Sequence, residues 1–399
     1  MGKEYFEGID ILKGLLIILV ILGHMPLEDV NENIFKYLLY SFHMPLFLSI
    51  SGFLIRKEII SGLTIRQILK KYSVRMLIPW CITVLYMYGY LNFSSIMTKG
   101  IDYVSLAQSF AYPYGCLWFI PTLFGMIILL WSMIKARAFR PRTVLLGSFF
   151  FSVLWLSILR LDLIVLGSSF PISEIHQTYT RIISYFIFFY LGFYIRNHNT
   201  KKLTRTQIFS LLSLAISLFV LRAAQFQDKG LEYNYPDHII YDAFVIMISG
   251  IYLLDYFRTD KKMSAIWTLF IVSIALTIGT IRVIQVSTIP DNFETPGYVF
   301  LSVSMIILAL DHFRYAKIPK IMTLSWIGKN SLPVYLWHLP VILIFQEMLK
   351  RGEINTITYY ALTISSIVLF MILIKMLLKR RVFKLILNGQ TQNLMPNDL

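Results

Sequence analysis

Acid and cysteine are scarce in this 399-residue chain. Asp and Glu number 22 against 37 Lys and Arg, only 15% of residues are charged, and cysteine occurs twice. Cys81 and Cys116 lie in separate apolar segments with no ligand-like spacing between them. That excludes a disulfide framework, assigns no metal site, and reads as two buried, inert thiols. There is no stretch that stands apart as a soluble domain, no low-complexity linker and no repeat of fixed period. No small-residue cleavage site follows the first apolar run, which therefore reads as a retained signal anchor and not as a removed signal peptide. With 57% hydrophobic residues and a mean hydropathy of +0.65, the chain is too apolar for a soluble protein with one packed core. An integral membrane protein, embedded in a lipid bilayer, is the class that remains.

What is present is a series of apolar runs of spanning length. They are expected at about 11–25, 38–55, 76–93, 116–134, 144–160, 179–195, 207–222, 239–257, 264–283, 298–310, 331–349 and 359–378. The fold class that follows is all-α, a polytopic transmembrane helix bundle of about 10–12 spans. Residues 1–385 form one integral-membrane domain, and 386–399 a short cytoplasmic tail. Basic residues crowd alternate connections: Arg56, Lys57, Arg66, Lys70, Lys71 and Arg75 in the second, Lys135 to Arg142 in the fourth, and so on to Lys379–Lys384 after the last. The odd connections hold few, and the first carries the acidic stretch LEDVNEN. By the positive-inside rule both termini are cytoplasmic. The net charge of +15 is thus mainly a topology signal, and with no basic module apart from the spans nucleic acid is excluded as a partner.

The first run, IDILKGLLIILVILGHMP, carries Asp10, Lys13 and His24 on an otherwise apolar helix. Lys13 and His24 are eleven positions, or roughly 16 Å of rise, apart, and eleven steps of about 100° return almost to the starting azimuth. Asp10 lies one turn below Lys13, so all three share a stripe. A lone lysine near a helix end is often a snorkelling anchor, but three polar groups on one face point into the protein. The second run, YSFHMPLFLSISGFLI, returns through the membrane and places His43 at the depth of His24, with Ser51 and Gly52 at the depth of Lys13. Ser51 is a donor-side candidate whose alternative reading is close helix packing. A third histidine, His338, follows Tyr335 by one turn in WIGKNSLPVYLWHLPV. Polar groups uncompensated in lipid are expensive, so histidines at one depth on neighbouring helices read as a site. Of the remaining histidines, His176 beside Glu174 is kept on the acceptor side. In TIRQILKKYSVRMLIPW, Thr64 and Gln67 have capping-box spacing and open a basic helix with Arg66, Lys70, Lys71 and Arg75. This helix reads either as an interfacial anchor for anionic headgroups or as a phosphate-binding patch at the mouth of the Lys13 site.

These residues carry a resemblance. D-x-x-K-G with a histidine eleven after the lysine, then FHMPLFLSISGFL, VRMLIPW, LWFIPTLF, FFYLGFYI and LSWIGKNSLPVYLWHLPV, in that order from about residue 5 to 378, resemble the acyltransferase-3 family of membrane O-acyltransferases, in its fucose 4-O-acetylase-like branch. The resemblance implies transfer of an acyl group, usually acetyl from acetyl-coenzyme A, to a hydroxyl of a cell-surface or exported glycan or glycolipid. It implies a multi-pass protein of a bacterial inner or plasma membrane, with partners in a polysaccharide assembly system and no metal. Lys13 and His24 match the family's essential basic residue and histidine, Arg75 its basic residue before the third helix, and Trp118 of LWFIPTLF joins the acceptor-side candidates. Two positions depart from the pattern. Lys13 stands where arginine is common, which replaces a bidentate fork with a point charge, and Tyr72 stands where a second arginine is common, with Lys71 beside it. Ten spans are usual in the family.

The chemistry expected of such a site agrees with the residues. Moving an acyl group from a thioester to an alcohol needs a base for the hydroxyl proton or a nucleophile to carry the acyl group, and imidazole serves as either near neutral pH. His24 is the candidate, with Lys13 and Asp10 beneath it. Lys13, Arg75, Lys71, Arg66 and Ser51 form the donor side, and His43, Tyr335, His338, Trp118 and Glu174 the acceptor side. The rival reading is a transporter or flippase for a lipid-linked or soluble sugar. Against it stand the absence of matched broken segments in the two halves and of a carboxylate relay.

Overall fold

In the computed structural model, residues 6–26, 33–136, 140–165, 179–198, most of 200–218, 296–315 and 321–380 are described, together with 383 and 387. The spans expected at 239–257 and 264–283, and the candidates Glu174 and His176, lie outside the described residues. No strand occurs among the described residues, and the architecture is an all-α bundle.

The helix α1 (Glu7–His24) is the axis of the bundle. It buries Ile9, Leu12, Leu16, Ile17, Val20 and Ile21, which cover about half of its circumference, while Leu15 on the opposite side is exposed. The next run is not the single helix expected at 38–55. It is broken into α2 (Ile34–Tyr40) and α3 (His43–Phe53) at Phe42, whose φ of −144° and ψ of −25° leave the helical region. Pro45 supplies the reason. It has no N–H to give the Ser41 carbonyl one turn earlier, and that carbonyl instead accepts from the Ser302 hydroxyl at 2.9 Å.

After the short α4 (Lys57–Gly62), α5 (Ile65–Tyr72) opens with the Thr64/Gln67 capping box expected from the sequence. A π turn, Ser73–Leu77, joins it to α6 (Ile78–Leu91). Proline again explains the irregularity. Pro79 cannot bond the Arg75 carbonyl, and Ile78 reaches back to Ser73 instead, which widens the turn that carries Arg75. The short α7 (Phe93–Lys99) and α8 (Tyr103–Ala111) follow, and a 3₁₀ turn, Gly115–Trp118, leads into α9 (Phe119–Ala136). Next come α10 (Pro141–Val165) and then α11 (Arg181–Ser184), which a break at Tyr185 divides from α12 (Phe186–Asn197), where one helix was expected over 179–195. The run expected at 298–310 extends to a 20-residue helix, α13 (Pro296–Tyr315). Three helices close the fold: α14 (Met322–Lys329), α15 (Ser331–Lys350) and α16 (Thr356–Leu377). Among the described residues, four helical stretches are long and apolar enough to cross a membrane: Ile65–Leu91, Gly115–Ala136, Ser331–Lys350 and Thr356–Leu377. The α1 helix has 18 residues, or about 27 Å of rise, comparable with the hydrocarbon thickness.

Two helix pairs touch backbone to backbone. In one, Gly14 lies on the Leu324 carbonyl and Gly328 on the Asp10 carbonyl, pressing α1 against α14. In the other, Gly52 lies on the Phe189 carbonyl and Gly192 on the Ser49 carbonyl, pressing α3 against α12. Within lipid, such small-residue contacts replace the hydrophobic effect as the source of helix association.

Candidate active site

One cluster forms where α1 ends. Its last carbonyls lack intrahelical partners, and other helices supply them: Gln346 Nε2 donates to the His24 carbonyl at 3.2 Å and the Tyr359 hydroxyl to the Met25 carbonyl at 2.6 Å. The His24 backbone is therefore held from α15 and α16. The His24 ring lies 5.4 Å from the His338 ring and 6.0 Å from the Tyr40 ring, which in turn lies 4.9 Å from His43. The break between α2 and α3 turns Tyr40 and His43 toward the same point.

Hydrogen bonds assign the protons. Nδ1 of His43 faces the Leu39 carbonyl at 2.7 Å, and Nδ1 of His338 faces the Tyr335 carbonyl at 2.6 Å. A carbonyl only accepts, so both Nδ1 atoms carry hydrogen, and in the neutral imidazole each Nε2 keeps a lone pair. The His338 Nε2 is buried with no hydrogen-bond partner among the described residues. The Tyr40 hydroxyl lies 3.3 Å from both the Gly23 carbonyl and His24 Nδ1. If it donates to the carbonyl, its oxygen accepts from Nδ1–H and the lone pair of His24 falls on Nε2. The wall of the cluster is Tyr335, whose hydroxyl donates to the Cys116 carbonyl, with Phe119 at 5.4 Å and Phe47 at 6.4 Å from its ring. Trp118 continues that wall under the Arg181 guanidinium, 4.3 Å from the ring centroid.

A second cluster lies toward the other end of α1. Lys13 is partly buried and within electrostatic reach of Asp10 and Arg75, and Arg75 in turn is within reach of Lys71 and Tyr72. Arg66 is exposed one turn earlier on α5. Ser51 bonds the Phe47 carbonyl of its own helix at 3.0 Å, as a packing serine does.

The structure thus brings together His24, His43, His338, Tyr335 and Trp118 at one end, and Asp10, Lys13, Arg75 and Lys71 at the other. It adds Tyr40, Arg181, Gln346, Tyr359 and Cys116, which sequence reasoning passed over. Only Tyr40 had a readable signal, lying three residues before His43 in a run that reads from sequence as one helix. Cys116, read from sequence as an inert thiol, stands beside two of the histidines.

Comparison with known proteins now decides the family. The model of the acyltransferase domain that defines acyltransferase-3 matches residues 6–254 and 202–376. This chain belongs to the acyltransferase-3 family. The family's model describes an acyltransferase domain, and the two polar clusters joined by α1 are the candidate working parts of that domain. The family member is also similar to the nodulation protein NolL of Sinorhizobium fredii, 32% identical over 121 residues, which cover 27% of this chain and 32% of that protein. The matched stretch is thus about a third of the relative's length. No solved structure matches.

Proposed function

We propose that this acyltransferase carries an acyl group, most simply acetyl, from acyl-coenzyme A to a hydroxyl of a cell-surface or exported glycan or glycolipid, as the fucose 4-O-acetylase-like branch does. The observation that supports it is the pairing of a basic cluster and a histidine cluster at the two ends of one buried helix, roughly 16 Å apart. In this reading the termini and the α4–α5 connection are cytoplasmic, in a bacterial inner or plasma membrane. The anionic donor rests on Arg75, Lys71 and Lys13, with Asp10 setting the lysine's position, and its extended arm runs beside α1 toward His24. The acceptor enters from the opposite side.

At the far end, His24 Nε2 takes the acceptor's hydroxyl proton as the oxygen adds to the thioester carbonyl. The tetrahedral adduct collapses, the carbon–sulfur bond breaks, and the departing sulfur takes the proton back from the His24 imidazolium, so that coenzyme A leaves as the thiol and His24 returns to its neutral form. His43 and His338 accept hydrogen bonds from neighbouring sugar hydroxyls through their Nε2 lone pairs, while Tyr335 and Trp118 offer ring faces to the sugar. Mass spectrometry of surface glycans tests the function: cells lacking the protein should lose an ester of defined mass, and an unchanged glycan profile would remove the glycan acceptor from the proposal.

Two further outcomes are expected. A thiol or amine label placed at Ser61 should be shielded in intact cells and one at Glu28 accessible; labelling of Ser61 from outside would invert the orientation. Purified Arg75→Glu should remain folded while binding acyl-coenzyme A about tenfold more weakly, the effect of one lost charge-assisted contact of about 1.5 kcal/mol. Unchanged donor affinity would reduce the basic helix to a lipid anchor.

A further inference from the structure

Three groups of the histidine cluster have a use that acyl transfer does not require. One donor atom each from His24, Cys116 and His338 lies within 4.8 Å of the others. Cys116 and His338 are 4% and 1% exposed, and His338 Nε2 points its lone pair into the cluster with no hydrogen-bond partner among the described residues. The surroundings are those of a ligand set already oriented. His338 donates its other nitrogen's proton to a backbone carbonyl at 2.6 Å, His24 Nδ1 is occupied by Tyr40, and the Tyr335 hydroxyl holds the backbone carbonyl of Cys116. Imidazoles that bind metal are commonly fixed by such a bond on the nitrogen that does not ligate.

We propose that His24, Cys116 and His338 form a site for a thiophilic divalent cation, Zn²⁺ by preference, and that filling it stops acyl transfer. Two imidazoles and one thiolate suit zinc, and calcium and magnesium require oxygen ligands. Three protein ligands leave the fourth tetrahedral position for water. With zinc–nitrogen and zinc–sulfur bonds of about 2.0 and 2.3 Å, ligand atoms in a filled site lie about 3.5 Å apart, so the cluster draws in by about 1 Å on binding. His24, the partly exposed member, supplies both the movement and the way in. Binding involves no redox change: the Cys116 sulfur–hydrogen bond breaks, a sulfur–zinc bond forms, and one proton leaves to solvent while both histidines bind as neutral imidazoles. The site itself stands on geometry alone. Its inhibitory effect rests on the proposed role of His24, because the ion takes the lone pair that would accept the hydroxyl proton.

Cobalt reads the site without turnover. Purified, metal-free full-length protein titrated with Co²⁺ should develop a thiolate-to-metal charge-transfer band at one equivalent, Zn²⁺ should abolish it by displacement, and the band should be absent in Cys116→Ser and present in Cys81→Ser. In the wild-type protein Zn²⁺ should also suppress formation of esterified product, with at least a tenfold higher concentration needed for half-suppression in Cys116→Ser, each protein being compared with its own metal-free rate. Absence of the band in wild type, or its survival in Cys116→Ser, overturns the site. A band with undiminished ester formation at saturating zinc overturns the inhibition and counts against His24 as the base, while leaving acyl transfer by the family member intact.

Discussion

His24→Ala should lower acyl transfer by about 10²- to 10⁴-fold, the span over which a positioned imidazole acts as general base, and by more if His24 carries the acyl group covalently. The expectation rests on position. His24 shares the Lys13 stripe of α1, its backbone is held by Gln346 and Tyr359, and its ring is backed by Tyr40. His43 and His338 reach the same cluster from α3 and α15. Their alanine variants should slow the reaction by misplacing the acceptor and still leave measurable turnover. The comparison is made in membranes holding equal amounts of each protein, by following free coenzyme A and esterified product. Substantial product from His24→Ala with none from His43→Ala would place the chemistry on α3, and none from His338→Ala would place it on α15.

Gly328→Ala is the second variant with a large expected effect, and it acts on the fold. A Cβ at this position would meet the Asp10 carbonyl, and backbone cannot move aside as a flexible side chain can. Overpacking of this kind costs about 1–3 kcal/mol or more, because α1 and α14 must separate along their whole contact. The midpoint of thermal unfolding in detergent should fall by several degrees, and donor binding should weaken as Asp10 and Lys13 shift with α1. Gly147→Ala is the internal control. Nothing lies within 4 Å of its added Cβ, and alanine is the better helix former, so its midpoint should hold or rise. Equal midpoints for Gly328→Ala and the wild-type protein would mean that the α1–α14 contact is looser than described.

The sequence carried the helical class and the capping box at Thr64, because each depends on spacing along one chain segment. Irregularities set by a missing N–H were only half legible. Pro45 and Pro79 are visible in the sequence, but whether a proline kinks, breaks or widens a helix depends on which neighbour takes the freed carbonyl. For Ser41 that neighbour is Ser302, distant in sequence and unreadable from either segment. The histidine cluster shows the same division. His24, His43 and His338 could be matched by depth, whereas Tyr40, Cys116 and Arg181 enter by rotation about helix axes and by the 3₁₀ turn before α9, which periodicity does not report. Conversely, Ser51 looked like a donor-side group by depth and is bonded to its own helix, a rotation that depth alone left open.

The central claim is that one chain passes an acyl group from a basic cluster on one face of the membrane to a histidine cluster nearer the other. Sidedness tests it most directly. Purified protein is reconstituted into sealed vesicles, orientation is fixed by selective labelling at Ser61, and radiolabelled acetyl-coenzyme A is given to one face and a sugar acceptor to the other. Ester should form when donor meets the face bearing Lys13 and Arg75 and acceptor the face nearer His24, and should not form in the reverse arrangement. Ester formed equally in both arrangements, or only in the reverse one, would contradict the account.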